Sequence, residues 1–425
     1  MMEGWKEYKF SEIADFPPKV KLEKGEDYPF VLMDEIDAGF KYVRASFTKN
    51  YNGSGAKFEN GDTLFARITP SLENGKIAQI KDISKPAFGS TEFFVFRGKK
   101  GVSDSDFIYY LSKTDWFRQN AINSFVGASG RQRADAKFVG KTKLLIPPLQ
   151  TQREIAKTLS SYDDLIENNL QRIKLLEELA QNTFNEMYSA NKEFEEVNLG
   201  SLIGHEIGGG WGNDELTDEF NKPAYVIRGT DIDELPNGKL EKIPFRYHKK
   251  SNLASRKLQD GDIIFEISGG SSYEGVAKTL LVTEELLKQF DNAVMPASFC
   301  KLVRPAKREY SSFLFLFLRF LRNIRGTEVF EIRSASNIVN YNWTAFLKFQ
   351  KVKKPSDDVL EKFNAIVEPI YKQIYILGNQ NQYLKEARDI LLPRLMTGMI
   401  DVSQIDTELS MAAEDGVEYG KVENI

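Results

Sequence analysis

The chain has 425 residues and a mass of 48.5 kDa, enough for two or three domains, and its 41% hydrophobic and 28% charged residues suit a globular protein with sizeable cores. A formal charge of −4, from 57 Lys and Arg against 61 Asp and Glu, excludes a protein that holds nucleic acid by bulk charge, so any basic surface must be local. One cysteine (Cys300) and two histidines (His205, His248) exclude an internal disulfide and a thiolate or His-rich metal centre, and leave few ways to build a Ser–His–Asp triad.

The chain runs twice through one order of elements. Gly61-Asp62-Thr63-Leu64-Phe65-Ala66-Arg67-Ile68 is a turn feeding an apolar strand, and Gly261-Asp262-Ile263-Ile264-Phe265-Glu266-Ile267-Ser268 repeats it. Second strands are predicted at Lys76–Ile80 and Val276–Val282, and third strands at Glu92–Arg97 and Ser298–Arg304. Apolar helical stretches follow at Phe107–Phe125 and Ser311–Ile324, then polar loops at Gly127–Arg133 and Arg333–Asn342. Short strands ending in proline close each half, at Leu144–Pro148 and Phe349–Pro355. No phosphate loop or dinucleotide fingerprint is present, and Gly208-Gly209-Gly210-Trp211-Gly212 reads as a strand-to-loop entry. No apolar N-terminal region reads as a secretory signal, and the longest apolar run, Phe313–Leu318, is too short to span a bilayer; no membrane partner and a cytoplasmic location are expected.

After each closing proline a long helix is predicted. Core positions alternate in steps of four and three through Ile155, Leu159, Tyr162, Ile166, Asn169, Ile173, Leu176, Ala180, Thr183 and Met187. The same phase recurs through Val359, Phe363, Ile366, Ile370, Gln373, Leu377, Gln380, Leu384, Ala387 and Leu391. Helices in shared phase over more than four heptads are expected to pair with each other, each about 50 Å long at about 1.5 Å per residue. Asn169 and Gln373 occupy matching layers and would fix the register. Pro369 should kink the second helix. Leu175 and Leu179 lie off the seam, either open to a partner or packed on a module of the same chain.

Two similar modules on a helical spacer suit a target with its own repeat, such as double-stranded DNA. Basic clusters support this: Arg131, Arg133, Lys137, Lys141 and Lys143 in the first half, and Lys239, Lys242, Arg246, Lys249, Lys250, Arg256 and Lys257 in the second. Base readout needs Arg forks and Asn or Gln amides on loops. The first loop offers Ser129, Arg131, Gln132 and Arg133; its counterpart offers Arg333, Ser336, Asn337, Asn340 and Asn342. Arg67, Thr69 and Asn74, with Ser268, Ser271 and Tyr273 at the equivalent place, complete the candidate set; taken singly each reads more readily as a turn or capping residue, and it is the set that points to readout.

The helix-opening run Leu145-Ile146-Pro147-Pro148-Leu149-Gln150-Thr151-Gln152-Arg153-Glu154-Ile155-Ala156, continuing through Asp163–Asn169, resembles the specificity subunits of type I restriction–modification systems. Gly208–Gly212 and Leu392-Pro393-Arg394-Leu395-Met396-Thr397-Gly398 fit the same family, and the resemblance covers residues 1 to about 400. It implies an α+β chain: two similar mixed α/β target-recognition domains separated by two long helices that pair as an antiparallel coiled coil. The boundaries would be 1–148 for the first domain, 149–190 for the central helix, 191–354 for the second domain, 355–398 for the distal helix and 399–425 for a flexible acidic tail. The resemblance further implies a non-catalytic DNA-recognition subunit that reads a bipartite site. Two methyltransferase subunits carrying S-adenosylmethionine, and restriction/translocase subunits using ATP, would dock on it. This chain departs from the pattern at Lys354-Pro355-Ser356-Asp357-Asp358, which lacks the Gln-containing motif, and at Pro369. The competing reading is a two-headed coiled-coil scaffold that binds protein partners without sequence-specific DNA recognition.

Overall fold

Both long helices are present in the computed structural model, which describes residues 4–128, 130–190, 194–269, 276–333 and 339–402. The central helix is Leu149–Ala190 and the distal helix is Asp357–Met396. The chain divides into two compact units, residues 1–167 with 384–425, and residues 168–383. Each unit takes one module and one segment of each long helix.

In the first unit a five-stranded sheet runs in the order Ala14–Asp15, Phe93–Gly98, Thr63–Ala66, Ile77–Ile80, Tyr42–Val43. A four-stranded sheet of Phe47–Asn50, Asp27–Val31, Ala87–Gly89 and Ala56–Phe58 lies in the same module. Thr63–Ala66 is buried along its whole length, as a strand covered on both faces must be, which explains the apolar run Leu64-Phe65-Ala66. The expected helix over Phe107–Phe125 is two helices, Ser105–Lys113 and Asp115–Ile122. Thr114 breaks them by turning extended, and its hydroxyl accepts from the Phe117 N–H at 3.3 Å. A short helix, Ala136–Lys141, follows the expected polar loop and carries part of the basic cluster, before the closing strand Lys143–Ile146 pairs antiparallel with Lys6–Lys9.

The second unit repeats this. Ile263–Glu266 lies between Cys300–Pro305 and Thr279–Leu281 in a four-stranded sheet edged by Ile203–Gly208. Ser311–Asn323 supplies the apolar helix, Trp343–Phe349 the short one, and Lys351–Lys354 pairs with Glu195–Asn198. One device recurs residue for residue. Gly61 (φ 84°) and Gly261 (φ 87°) turn into the buried strands. The next residues, Asp62 and Asp262, are buried. Arg97 donates to Asp62 through Nε (2.6 Å) and Nη2 (2.7 Å), and Arg304 does the same to Asp262 (2.7 and 2.8 Å). Burial and the arginine oppose each other at Asp62, and its carboxyl sits above its usual range because burial is the larger effect. The glycine-rich run starts where the strand Ile203–Gly208 ends, the strand-to-loop entry expected from sequence, and the backbone also passes close there: a Cβ on Gly209 would meet the Ala297 oxygen at 2.1 Å.

The helix segments pair antiparallel within each unit. In the second, Asn169 Nδ2 donates to Asn381 Oδ1 (3.0 Å) and the Phe184 ring packs on Phe363, so partners fall in number along the distal helix as they rise along the central one. This corrects the expected register. A constant offset matches equivalent ends of a repeat, but antiparallel helices bring opposite ends together, so the partner of Asn169 is Asn381. Gln373 is only half-buried. The distal seam also shifts. Leu360, Val367, Ile374, Asn381, Arg388 and Leu395 are buried at seven-residue intervals, together with Phe363, Ile370 and Leu377, whereas Ile366 is 52% exposed and Gln380 is exposed. The distal helix also buries Tyr371 and Tyr375 against its module, which widens the apolar stripe and blurs its phase. It continues through Pro369, which lies on its exposed face.

In the first unit a buried polar cluster joins helices to module. Asp163 Oδ1 accepts from Arg388 Nη1 and Oδ2 from the Tyr110 hydroxyl, both at 2.5 Å. Lys41 Nζ donates to Ser160 (2.8 Å) and Asp106 (3.0 Å). The Gln152 side chain explains the helix-opening motif: its Nε2 donates to the Pro147 and Val102 carbonyls while its Oε1 accepts from the Asp104 N–H. Leu175 and Leu179 are 63% and 52% exposed and do not pack on the second module.

Candidate nucleic-acid interface

The first module carries a groove of about 740 Å³ between the irregular segment 16–21 and the strands Ala56–Phe58, Thr63–Ala66 and Phe93–Gly98. Lys19, Lys21, Lys57 and Arg67 line it, and no lining residue is acidic. Phe16 and Phe94 form part of its wall, 4.8 Å apart edge to face, and the Arg67 guanidinium lies 4.8 Å from the Phe94 ring. Among the described residues Lys19 and Lys21 make no ion pair. Val20 between them is buried, so both lysines point outward from one anchored segment. Cations over an apolar floor can neutralise phosphates and receive bases or sugars. Of these four cations only Arg67 is among the candidates from sequence; the alternation Lys19-Val20-Lys21 after Pro17-Pro18 is the one signal that could have found two of the others.

Beside Arg67 stands a braced fork. Arg133 donates to Glu92 through Nε (2.9 and 3.0 Å) and Nη2 (2.6 Å), and the guanidinium holds the Glu92 carboxyl below its usual range. Thr69 and Gln132 tie the two loops together: the Thr69 N–H donates to the Gln132 carbonyl (3.0 Å), and the Gln132 N–H donates to the Thr69 hydroxyl (3.1 Å). Arg131, Lys137 and Asn74 are exposed, and among the described residues none of their side chains has a hydrogen bond or ion pair. Ser129 lies outside the described residues.

In the second module several candidates serve internal contacts. Arg246 pairs with Asp214 and lies over the Trp211 ring (4.5 Å); Lys249 pairs with Glu219 and lies over Phe220 (5.1 Å). Ser268 donates to Asn340 Oδ1 (3.0 Å) across a strand pair. Asn342 caps the helix Trp343–Phe349, accepting from the Ala345 N–H at 3.1 Å. Lys250 and Arg333 are exposed and unpaired among the described residues. Ser271, Tyr273, Ser336 and Asn337 lie outside them. The histidines do not come together as a site: His205 is exposed on a strand, while His248 is buried and its pKa is lowered by that burial.

Among the described residues no helix is long and apolar enough to cross a membrane. The family model described as "Type I restriction modification DNA specificity domain" matches residues 2–178, the first module and most of the central helix. The type I restriction enzyme MjaIX specificity subunit of Methanocaldococcus jannaschii is 24% identical over 409 residues, covering 91% of this chain and 90% of that protein. The EcoAI specificity subunit of Escherichia coli is 25% identical over 188 residues, 42% of this chain and 32% of that one. Among solved structures, the S subunit of a type I restriction–modification system from M. genitalium aligns with a TM-score of 0.50 at 14% identity, covering 92% of this chain and 96% of that one, a likeness of fold. The first module and most of the central helix thus match the type I restriction modification DNA specificity domain, and over nine-tenths of its length the chain is similar to a type I specificity subunit.

Proposed function

We propose that this chain is the non-catalytic DNA-recognition subunit of a type I restriction–modification complex and reads a bipartite double-stranded site, one part per module. The observation that carries this is the groove of the first module, where four cations and no acid line an aromatic-walled channel inside the matched specificity domain. Such a channel tracks phosphates without regard to sequence, leaving readout to side chains at its edge. Methylation and cleavage then belong to partners: two methyltransferase subunits with S-adenosylmethionine, and restriction/translocase subunits with ATP, working in the cytoplasm. Leu175 and Leu179 lie one helical turn apart and exposed, and offer an apolar surface for such docking.

The test is a genome-wide map of modified adenines in cells expressing this chain with its methyltransferase, against cells lacking the chain. A split motif that vanishes without it is the expected result. An unchanged map from an assembled complex refutes the reading.

A further inference from the structure

Resting on that reading, we infer that Arg133 recognises a guanine in the half-site of the first module and that Glu92 is its positioning residue. Glu92 engages one side of the guanidinium, the Nε hydrogen and one hydrogen of Nη2. The remaining hydrogens on Nη1 and Nη2 have no acceptor among the described residues, and the side chain is 42% exposed. Two N–H groups pointing the same way from one planar fork are what guanine O6 and N7 accept in the major groove. An arginine otherwise loses side-chain freedom on reaching a base, and a carboxylate that already fixes its torsions removes part of that loss. Arg133 is also backbone-paired with Ile68 and Val126, so the fork stands on a fixed base beside Arg67 and the groove.

The second module shows what the same place looks like without a fork. The Arg67 N–H donates to the Glu92 carbonyl at 2.9 Å, and in the second module the Ile267 N–H donates to the Phe299 carbonyl at 2.9 Å. Arg133 pairs with Ile68 as Asn340 pairs with Ser268. The backbone frame is therefore shared, while Glu92 and Arg133 are replaced by Phe299, 65% exposed, and Asn340. A guanine-reading fork thus belongs to one half of the recognised site only.

The experiment uses the full chain with its methyltransferase in cells, mapping modified adenines for the wild type, Arg133→Lys, Arg133→Ala, Glu92→Ala, Glu92→Gln and Asn340→Ala. Arg133→Lys keeps a cation beside Glu92 but cannot present the fork. It should relax one guanine position in one half-site, lowering that preference roughly 5- to 150-fold, and leave the other half unchanged. Arg133→Ala should relax the same position. Glu92→Ala should relax it less, and Glu92→Gln, which can still accept from Arg133, should restore part of the preference. Asn340→Ala should leave that guanine untouched. Unaltered preferences in both Arg133 variants, with the split site still modified, overturn the inference and leave the DNA reading standing. Uniform loss at all sites with Arg133→Lys also overturns it, because Arg133 would then be a brace or a phosphate contact. A wild-type complex that modifies no split site sinks the DNA reading itself.

Discussion

Replacing Arg388 by Met should destabilise the first unit severely, and replacing Asp163 by Leu as well should undo most of the damage. Both side chains are almost wholly buried, and Arg388 supplies the cation for Asp163. Removing one partner of a buried pair typically costs about 3–5 kcal/mol, because the remaining charge has lost its compensation. Here the Tyr110 hydroxyl still donates to Asp163 Oδ2, which places the single variant near the lower end, about 3 kcal/mol. At about 2–4 °C per kcal/mol for a unit of roughly 200 residues, the transition of this unit should fall by about 6–12 °C. In the double variant neither charge of this pair remains to desolvate, and Leu and Met fill similar volume; the hydroxyl of Tyr110 then keeps only Ser160 Oγ at 3.4 Å. Its transition should return to within a few degrees of the wild type. Scanning calorimetry of the three proteins is the assay. A single variant melting within about 1 °C of the wild type, or a double variant less stable than the single one, would refute the argument that this pair is held by mutual compensation in a dry site.

Other perturbations follow from the same structure. Burial lowers the Lys113 ammonium to about 8, so between that pH and about 10.4 the unfolded chain holds a proton that the folded chain lacks; stability should rise with pH through this window by about 1–3 kcal/mol relative to Lys113→Met, measured by urea titration at its two ends. Asn381→Leu leaves buried Asn169 without its acceptor and should cost about 1–3 kcal/mol in denaturant melts, while adding Asn169→Leu should recover most of it; a single variant as stable as the wild type counts against the register found here. Changing Lys19, Lys21 and Lys57 together to Gln should reduce the slope of log affinity against log salt for duplex DNA by about 3, with the melting temperature unaltered; an unchanged slope would remove the groove from the DNA path.

Much of the architecture is legible in the chain because it is written twice. The strand after Gly61 and the strand after Gly261 are fixed by local signals, a positive-φ glycine, an aspartate and a run of three apolar residues in a four-residue strand. The central helix shows its phase plainly, with Ile155, Leu159, Ile166, Ile173 and Ala180 all buried. The distal helix misleads because its module claims a second face, burying Tyr371 and Tyr375 beside the seam. Composition marks a basic cluster from Arg131 to Lys143, but it does not tell that Arg133 is tied to Glu92, a residue 41 positions earlier. Lys19 and Lys21 escaped because two lysines are too few to register as a cluster; only the groove wall makes them count.

The repetition also separates scaffold from readout without any other protein for comparison. Asp62 with Arg97 and Asp262 with Arg304 keep the same partners and nearly the same geometry in both modules. Such a pair sits where a strand enters the core, and altering one member alone would strand a buried carboxylate. Glu92 with Arg133, against Phe299 with Asn340, keeps the backbone hydrogen bonds and changes every side chain. These side chains are at least partly exposed, so exchanging them leaves no buried charge unpaired and little packing undone. A position that the fold leaves free, on a frame that the fold fixes, is where two modules of one chain can differ in the base they read while remaining the same structure. On that argument, exchanging Glu92 and Arg133 for Phe and Asn should alter the recognised base and leave the melting temperature of the unit within a few degrees. A collapse in stability would show instead that the ion pair belongs to the scaffold.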